Sequence, residues 1–169
     1  GWCPAPCRTR PASIGWHGNA ILVRHGIEIA GAEPIDLPRL EPRGAVCAHL
    51  LVDGRPFHVV GMHLDLSGIR RQHQVAAVQA HMHRRKDPAV LLGDFNEWSP
   101  RGRALAAFRD GWTVLAPGRS YPSRRPLAQL DRIVHSRGWR CEGAHVHHSA
   151  LAAIASDHLP VIARLTITA

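Results

Sequence analysis

Leu91-Leu92-Gly93-Asp94-Phe95-Asn96 is a run of apolar residues that ends in a glycine, an acid and an amide. Two other stretches share the design: Val59-Val60-Gly61-Met62-His63 and Ser156-Asp157-His158-Leu159-Pro160. A fourth, Leu130-Asp131-Arg132-Ile133-Val134, sets an acid inside an otherwise apolar strand. When strand ends gather at one rim of a sheet sandwich, their polar groups converge on one point. Asp94 and Asn96 are two residues apart and share one face of a strand or turn. Asp157 and His158 are adjacent and would diverge in an extended strand, so a loop has to aim both inward.

Around these stretches the chain alternates strands with a few helices. Ala45 to Val52 and Pro56 to His63 flank Asp53-Gly54, a strong two-residue turn signal, and predict a hairpin. Ala20 to Val23 is a short buried strand, and residues 25–43 read as an edge segment with loops. Ser67 is the expected N-cap of the clearest helix, which Asp87-Pro88 stops. Ile69, Val75, Val78 and Met82 form its apolar stripe, with Arg70, Arg71, Gln74 and Arg84 facing away. Ser99-Pro100 is expected to open a second helix ending near Asp110-Gly111. Trp112 to Leu115, Leu130 to His135, Trp139 to His147 and Val161 to Ile167 complete the strands. The expected organisation is a tail or leading segment over 1–17, rich in Pro, Cys and Arg, and one domain over 18–169, of two packed sheets with helices outside.

The composition narrows the function classes. The 169 residues are 45% hydrophobic and 20% charged, an ordinary globular balance. No run reaches the ~18 apolar residues of a membrane span, so an integral membrane protein is not expected. Twenty-one Lys and Arg against 13 Asp and Glu give a net charge of +8, which attracts phosphate-rich partners. Codon bias toward Arg would give the same skew, since Lys86 is the only lysine. Cys3, Cys7, Cys47 and Cys141 do not make a disulfide framework at this length and read as free thiols. A monomer is expected, and the compartment stays open with the cytoplasm slightly favoured.

The polar strand ends match the needs of phosphoester hydrolysis. The phosphate is anionic and repels a nucleophile, a hard divalent cation held by carboxylate and amide oxygens neutralises it, and water must lose a proton to Asp or His. His63, Asp94, Asn96, Asp131, Asp157 and His158 supply that kit. Each has a plainer reading: Asp94 as a turn cap after Gly93, Asp131 as the ion partner of Arg132, His63 as one of 13 histidines.

Together with Gly18-Asn19-Ala20-Ile21-Leu22 and Glu41-Pro42-Arg43-Gly44-Ala45, these motifs fall in an order that resembles the endonuclease/exonuclease/phosphatase superfamily, the DNase-I-like group. The resemblance runs from about Gly18 to the end and is carried chiefly by Gly-Asp-Phe-Asn and Ser-Asp-His. It implies an α/β (α+β) fold, a four-layered α-β-β-α sandwich of two mixed sheets, and a metal-dependent phosphoesterase using Mg2+, with Mn2+ as the substitute. It implies that Asp131 orients His158 and that this pair handles the phosphate or water proton, that His63 binds phosphate or assists the leaving group, and that Asp94 acts as base or nucleophile-orienter beside a phosphoryl-polarising Asn96. Asp157, with Asp94 and Asn96, would hold the metal.

Two family features have no counterpart here: an early strand carrying Asn, and a strand ending Gln-Glu whose Glu is the principal magnesium ligand. The fold is therefore expected to be incomplete at its N-terminal side, with weak magnesium binding and poor turnover for these 169 residues alone. Met62 also stands where the family often has Thr or Asn before the histidine.

The expected partner is a phosphate-containing substrate: nucleic acid, a phospholipid head group or an inositol phosphate. Arg124 and Arg125, in a Pro-bounded loop that resembles a Phe-Pro-Ser-x-x-Pro-Leu segment of bacterial family members, and Asn19 are the candidate substrate-binding residues. Arg70 and Arg71 are candidates for a nucleic-acid track. Two other readings stay open: a phosphate-binding module that has lost the metal-binding Glu, and a domain whose surface serves protein contact.

Overall fold

The computed structural model describes residues 1–7, 13–38 and 43–168. The Asp53-Gly54 turn forms as expected. Both residues take positive φ, 50° and 73°, the conformation of a tight hairpin turn. It joins β4 (Ala45–Val52) to β5 (Arg55–His63), with Val52 opposite Arg55 and Ala45 opposite Met62.

Edge strand β3 (Glu28–Ile35) pairs with β4. Helix α1 (Gly68–His83) then carries the chain from β5 to β6 (Ala89–Asp94), which lies parallel to β5. β8 (Asp131–Ser136) runs antiparallel to β6, and β7 (Trp112–Leu115) closes the far edge. The result is a mixed six-stranded sheet in the order β3-β4-β5-β6-β8-β7.

Alternation along the strands divides the core in two. Cys47, Val60, Met62 and Leu91 face α1 and pack with Val75, Val78, Met82, Phe95 and Phe108. Val46, Ala48, Leu50 and Phe57 face the other way, against Ala5, Cys7, Ile21 and Val23, with Trp139 and Ile167 alongside. That second layer consists of two antiparallel pairs: β1 (Trp2–Pro4) with β2 (Leu22–Arg24), and β9 (Trp139–Val146) with β10 (Val161–Ile167). Sheets packed face to face with helices outside agree with the expected sandwich. Short helices α2 (Arg103–Ala106) and α3 (Ala152–Ala155) lie in the connections.

Several local expectations are corrected. The opening residues are not a frayed tail: Trp2–Pro4 pair with β2, and Ala5 and Cys7 are buried. The helix expected from Ser99 contracts to Arg103–Ala106. On α1, Ile69 is exposed, while Arg71 and Gln74 are buried. Hydrogen bonding explains the inversion: the Gln74 side chain accepts from the Asp65 N–H at 2.8 Å, and Arg71 donates to Leu66 O at 2.6 Å and meets Glu97 Oε2 at 3.5 Å. Ser67 precedes the helix as expected, but its side chain makes no cap bond. All four cysteines are free thiols, and among the described residues no helix is long and apolar enough to cross a membrane.

Candidate active site

Register alone brings three of the expected residues together. Asp94 is the last residue of β6; it lies beside His63 across the parallel pair with β5 and opposite Asp131 across the antiparallel pair with β8. Three neighbouring strands thus contribute one residue each to a single row at the sheet's rim. Gly93 makes the row possible. Its φ is 138°, and a Cβ there would lie 1.9 Å from Met62 O, so no side chain fits where β6 meets β5.

His158 enters this row from the loop before β10. Its Nδ1 donates to Asp131 Oδ2 at 2.8 Å, and its Nε2 lies 3.9 Å from Asp94 Oδ2. His63 Nε2 lies 3.5 Å from the same Asp94 oxygen. The other Asp94 oxygen accepts the Asn96 N–H at 2.7 Å. Asn96 is buried at φ 50°, and its side-chain N–H donates to Leu64 O at 2.8 Å. That commits the amide nitrogen to the scaffold.

The electrostatics separate the two imidazoles. Burial disfavours charge on His158, but the hydrogen bond and charge of Asp131, with Asp94 and Asp157, outweigh it and raise its pKa. Burial dominates at His63 and, with the charges of Arg43 and His158, lowers its pKa against the pull of Asp94. Asp94 is pushed above the usual carboxylate range by burial and by the charge of Asp131, opposed by the Asn96 N–H and the histidines. Asp131 thus favours the protonated form of His158, burial favours the neutral form of His63, and burial makes Asp94 a more basic carboxylate than usual.

Two further residues reach this row: Arg43, which stood in a quoted motif without a role, and Ser120, which the sequence did not single out. Arg43 Nη1 contacts His63 Nε2 and donates to Leu64 O at 3.0 Å. The signal for it was the hairpin register, which extends past Ala45 so that Gly44 O accepts the His63 N–H. Ser120, fully buried in the loop before β8, donates its hydroxyl to Asp131 Oδ2. No sequence signal marks it. The Tyr121 ring packs 4.8 Å from the His158 ring, and exposed Trp98 stands edge-on to Tyr121 at 6.3 Å, an aromatic wall at the mouth.

The remaining candidates lie outside the row. The Asp157 carboxylate is exposed and meets the Ser156 hydroxyl at 3.4 Å, while its backbone carbonyl accepts the Ser123 N–H. Arg124 and Arg125 are exposed on the loop that Ser123 anchors. The Asn19 side-chain NH2 donates to Gly44 O at 2.9 Å and His17 O at 3.2 Å, holding the strand next to Arg43. Asp131 is not the ion partner of Arg132, whose guanidinium instead donates to backbone carbonyls of Gln129, Asp131 and Glu97. Glu41 and Pro42 lie outside the described residues. Arg71 is buried against Glu97 and is not a surface track for nucleic acid.

A six-coordinate magnesium ion needs an oxygen-rich shell. The row offers the Asp94 carboxylate and the Asn96 side chain, while Asp131 is engaged by Ser120 and His158 and Asp157 is exposed. Among the described residues this is a partial shell, which water and phosphate oxygens would have to complete around a magnesium ion.

The model of the Endonuclease/Exonuclease/phosphatase family matches residues 2–158. The chain belongs to that family. The curated relative YbhP of Escherichia coli K12, itself described as uncharacterized, is 30% identical over 129 residues, covering 70% of this chain and 51% of YbhP. The chain thus spans about half the length of that relative. Among solved structures, an endonuclease/exonuclease/phosphatase from Bacteroides vulgatus superposes with a TM-score of 0.77 at 17% identity, covering 88% of this chain and 70% of its own. The human Nocturnin catalytic domain with bound sulfate gives 0.72 at 18% identity, covering 99% of this chain and 72% of its own. These likenesses establish the fold as DNase-I-like.

Proposed function

We propose that the hollow formed by His63, Asp94, Asn96, Asp131 and His158 hydrolyses a phosphoester. The observation that carries this reading is the Asp131–His158–Asp94 arrangement, an imidazole held by one carboxylate and standing 3.9 Å from a second. In the proposed reaction Asp94 takes a proton from water, whose oxygen forms the new bond to phosphorus. The bond from phosphorus to the leaving oxygen breaks, and that oxygen takes the proton of His158 Nε2. With 3.9 Å between them, the protonated Asp94 and the neutral His158 return to their starting states by exchange through water. Arg43 adds positive charge beside His63, and the Asn96 amide polarises a phosphoryl oxygen.

The proposed substrates are nucleic acid, a phospholipid head group or an inositol phosphate, with Arg124 and Arg125 gripping a second anionic group. The sulfate in the Nocturnin domain, a tetrahedral anion on this fold, supports the substrate class. Mg2+, replaceable by Mn2+, is the proposed cation, with Asp94 and Asn96 as this chain's donors. The partial donor shell favours a second reading, a phosphate-binding module without turnover.

A panel of plasmid DNA, RNA, phosphatidyl lipids and phosphoinositides, with magnesium or chelator, tests both readings on the full-length product. Magnesium-dependent release of phosphate or cleaved ester supports the hydrolase. Binding without turnover supports the module. Neither binding nor turnover contradicts both.

A further inference from the structure

A second cluster of chemistry-bearing side chains lies on the α1-facing side of the sheet, away from the hollow. Cys47 and His49 are two apart on β4 and share a face. The hairpin register sets His58 of β5 directly opposite His49, and the β3–β4 register sets Glu33 opposite Cys47. One ligand atom from each of Cys47, His49 and His58 lies within 4.8 Å of the others. The cluster owes nothing to the motifs of the hollow.

The orientation of the two imidazoles is informative. Their Nδ1 atoms face each other at 2.9 Å. On the far side of each ring stands a carboxylate: His49 Nε2 donates to Glu33 Oε1 at 3.2 Å, and His58 Nε2 lies 3.5 Å from Asp87 Oδ2. An imidazole whose outer N–H faces a carboxylate presents its inner nitrogen as a lone pair, the arrangement found behind metal-bound histidines. Two lone pairs at 2.9 Å repel unless a proton or a cation lies between them. His58 Nε2 is also buried without a hydrogen bond. Glu33 is fixed in turn by His81 Nε2 at 3.1 Å and by the Arg85 guanidinium.

We propose that Cys47 Sγ, His49 Nδ1 and His58 Nδ1 bind a divalent cation of the zinc type, with Glu33 and Asp87 as the carboxylates behind the two histidines and water in the fourth position. One thiolate and two imidazoles select Zn2+ over Mg2+, which demands oxygen. Binding releases the Cys47 proton to solvent. The ion cross-links β4 and β5; β5 ends in His63 and β4 begins two residues after Arg43, so its role is to stiffen the scaffold behind the hollow.

The test is Zn2+ titration of the metal-stripped chain against a chromophoric chelator, with Co2+ as the spectroscopic probe. One equivalent of Zn2+ is expected to bind and to raise Tm with the logarithm of free zinc. Millimolar Mg2+ should not displace it. Co2+ should give tetrahedral visible bands with a thiolate charge-transfer band, read on the unaltered chain so that the result does not hang on a variant folding. Cys47→Ser should remove the charge-transfer band, and Cys47→Ser and His58→Ala should each weaken binding at least about tenfold. Asp94→Asn and Cys141→Ser should leave binding unchanged. No stoichiometric zinc, a cobalt complex without thiolate character, or affinity that survives both Cys47→Ser and His58→Ala would overturn the proposal.

Discussion

The Nδ1 of His158 lies 2.8 Å from Asp131 Oδ2, and the Ser120 hydroxyl binds that same carboxylate oxygen from the other side. One carboxylate is thus held by a buried serine and in turn fixes the tautomer of an imidazole, leaving Nε2 to face Asp94. Orientation and charge at His158 both depend on Asp131, and removing its charge should change both.

Asp131→Asn is expected to lower the His158 pKa from its raised value. It should also slow hydrolysis by the full-length product by about 10²-fold or more, the scale of a lost proton-transfer partner. The His158 titration, assigned by its disappearance in His158→Gln, checks the first part. Retention of the raised pKa would show that Asp131 is not its cause.

The same pair gives stability a sign with pH. The folded-state pKa of His158 lies above its ordinary value of 6.5, so its contribution is complete below about pH 6.5 and is lost as pH rises through the folded pKa. Urea unfolding at stepped pH should show this decline in the parent and a flatter curve in Asp131→Asn. A parent whose stability is flat or rises across that window, relative to the variant, contradicts the assignment.

Gly93→Ala should be severely destabilising, by more than about 3 kcal/mol, because the positive φ and the approach to Met62 O cannot both be kept. Gly54→Ala, also at positive φ but with open space around it, should cost only about 1–2 kcal/mol. Comparing soluble yield and urea midpoints checks the contrast; equal losses would mean that the strand junction relaxes.

Arg71→Met should cost about 3–5 kcal/mol, since it leaves Glu97 buried without its partner. The paired change with Glu97→Gln should recover part of that loss. Denaturant unfolding of the single and double variants measures it. A near-neutral Arg71→Met would place the side chain at the surface.

The parts of this fold legible in the sequence were those set by local rules. Asp53-Gly54 fixed the hairpin and its register, and the apolar runs ending in Asp94 and His63 marked the rim. What stayed hidden depended on three-dimensional context. Arg71 and Gln74 looked like solvent-facing positions because periodicity counts polarity, while their burial rests on hydrogen bonds to Leu66, Asp65 and Glu97. Ser120 reaches Asp131 from a loop whose path no pattern announces. The opening strand was missed because a three-residue β1 is too short to show a period.

The direct measurement is turnover of the identified phosphoester by the full-length product and by its Asp94→Ala and His158→Ala variants, with circular dichroism confirming that each is folded. The account predicts that both variants lose at least about 10²-fold in kcat while remaining folded. Unchanged turnover in both would contradict it, because a hollow that tolerates those losses is not where the ester is cleaved.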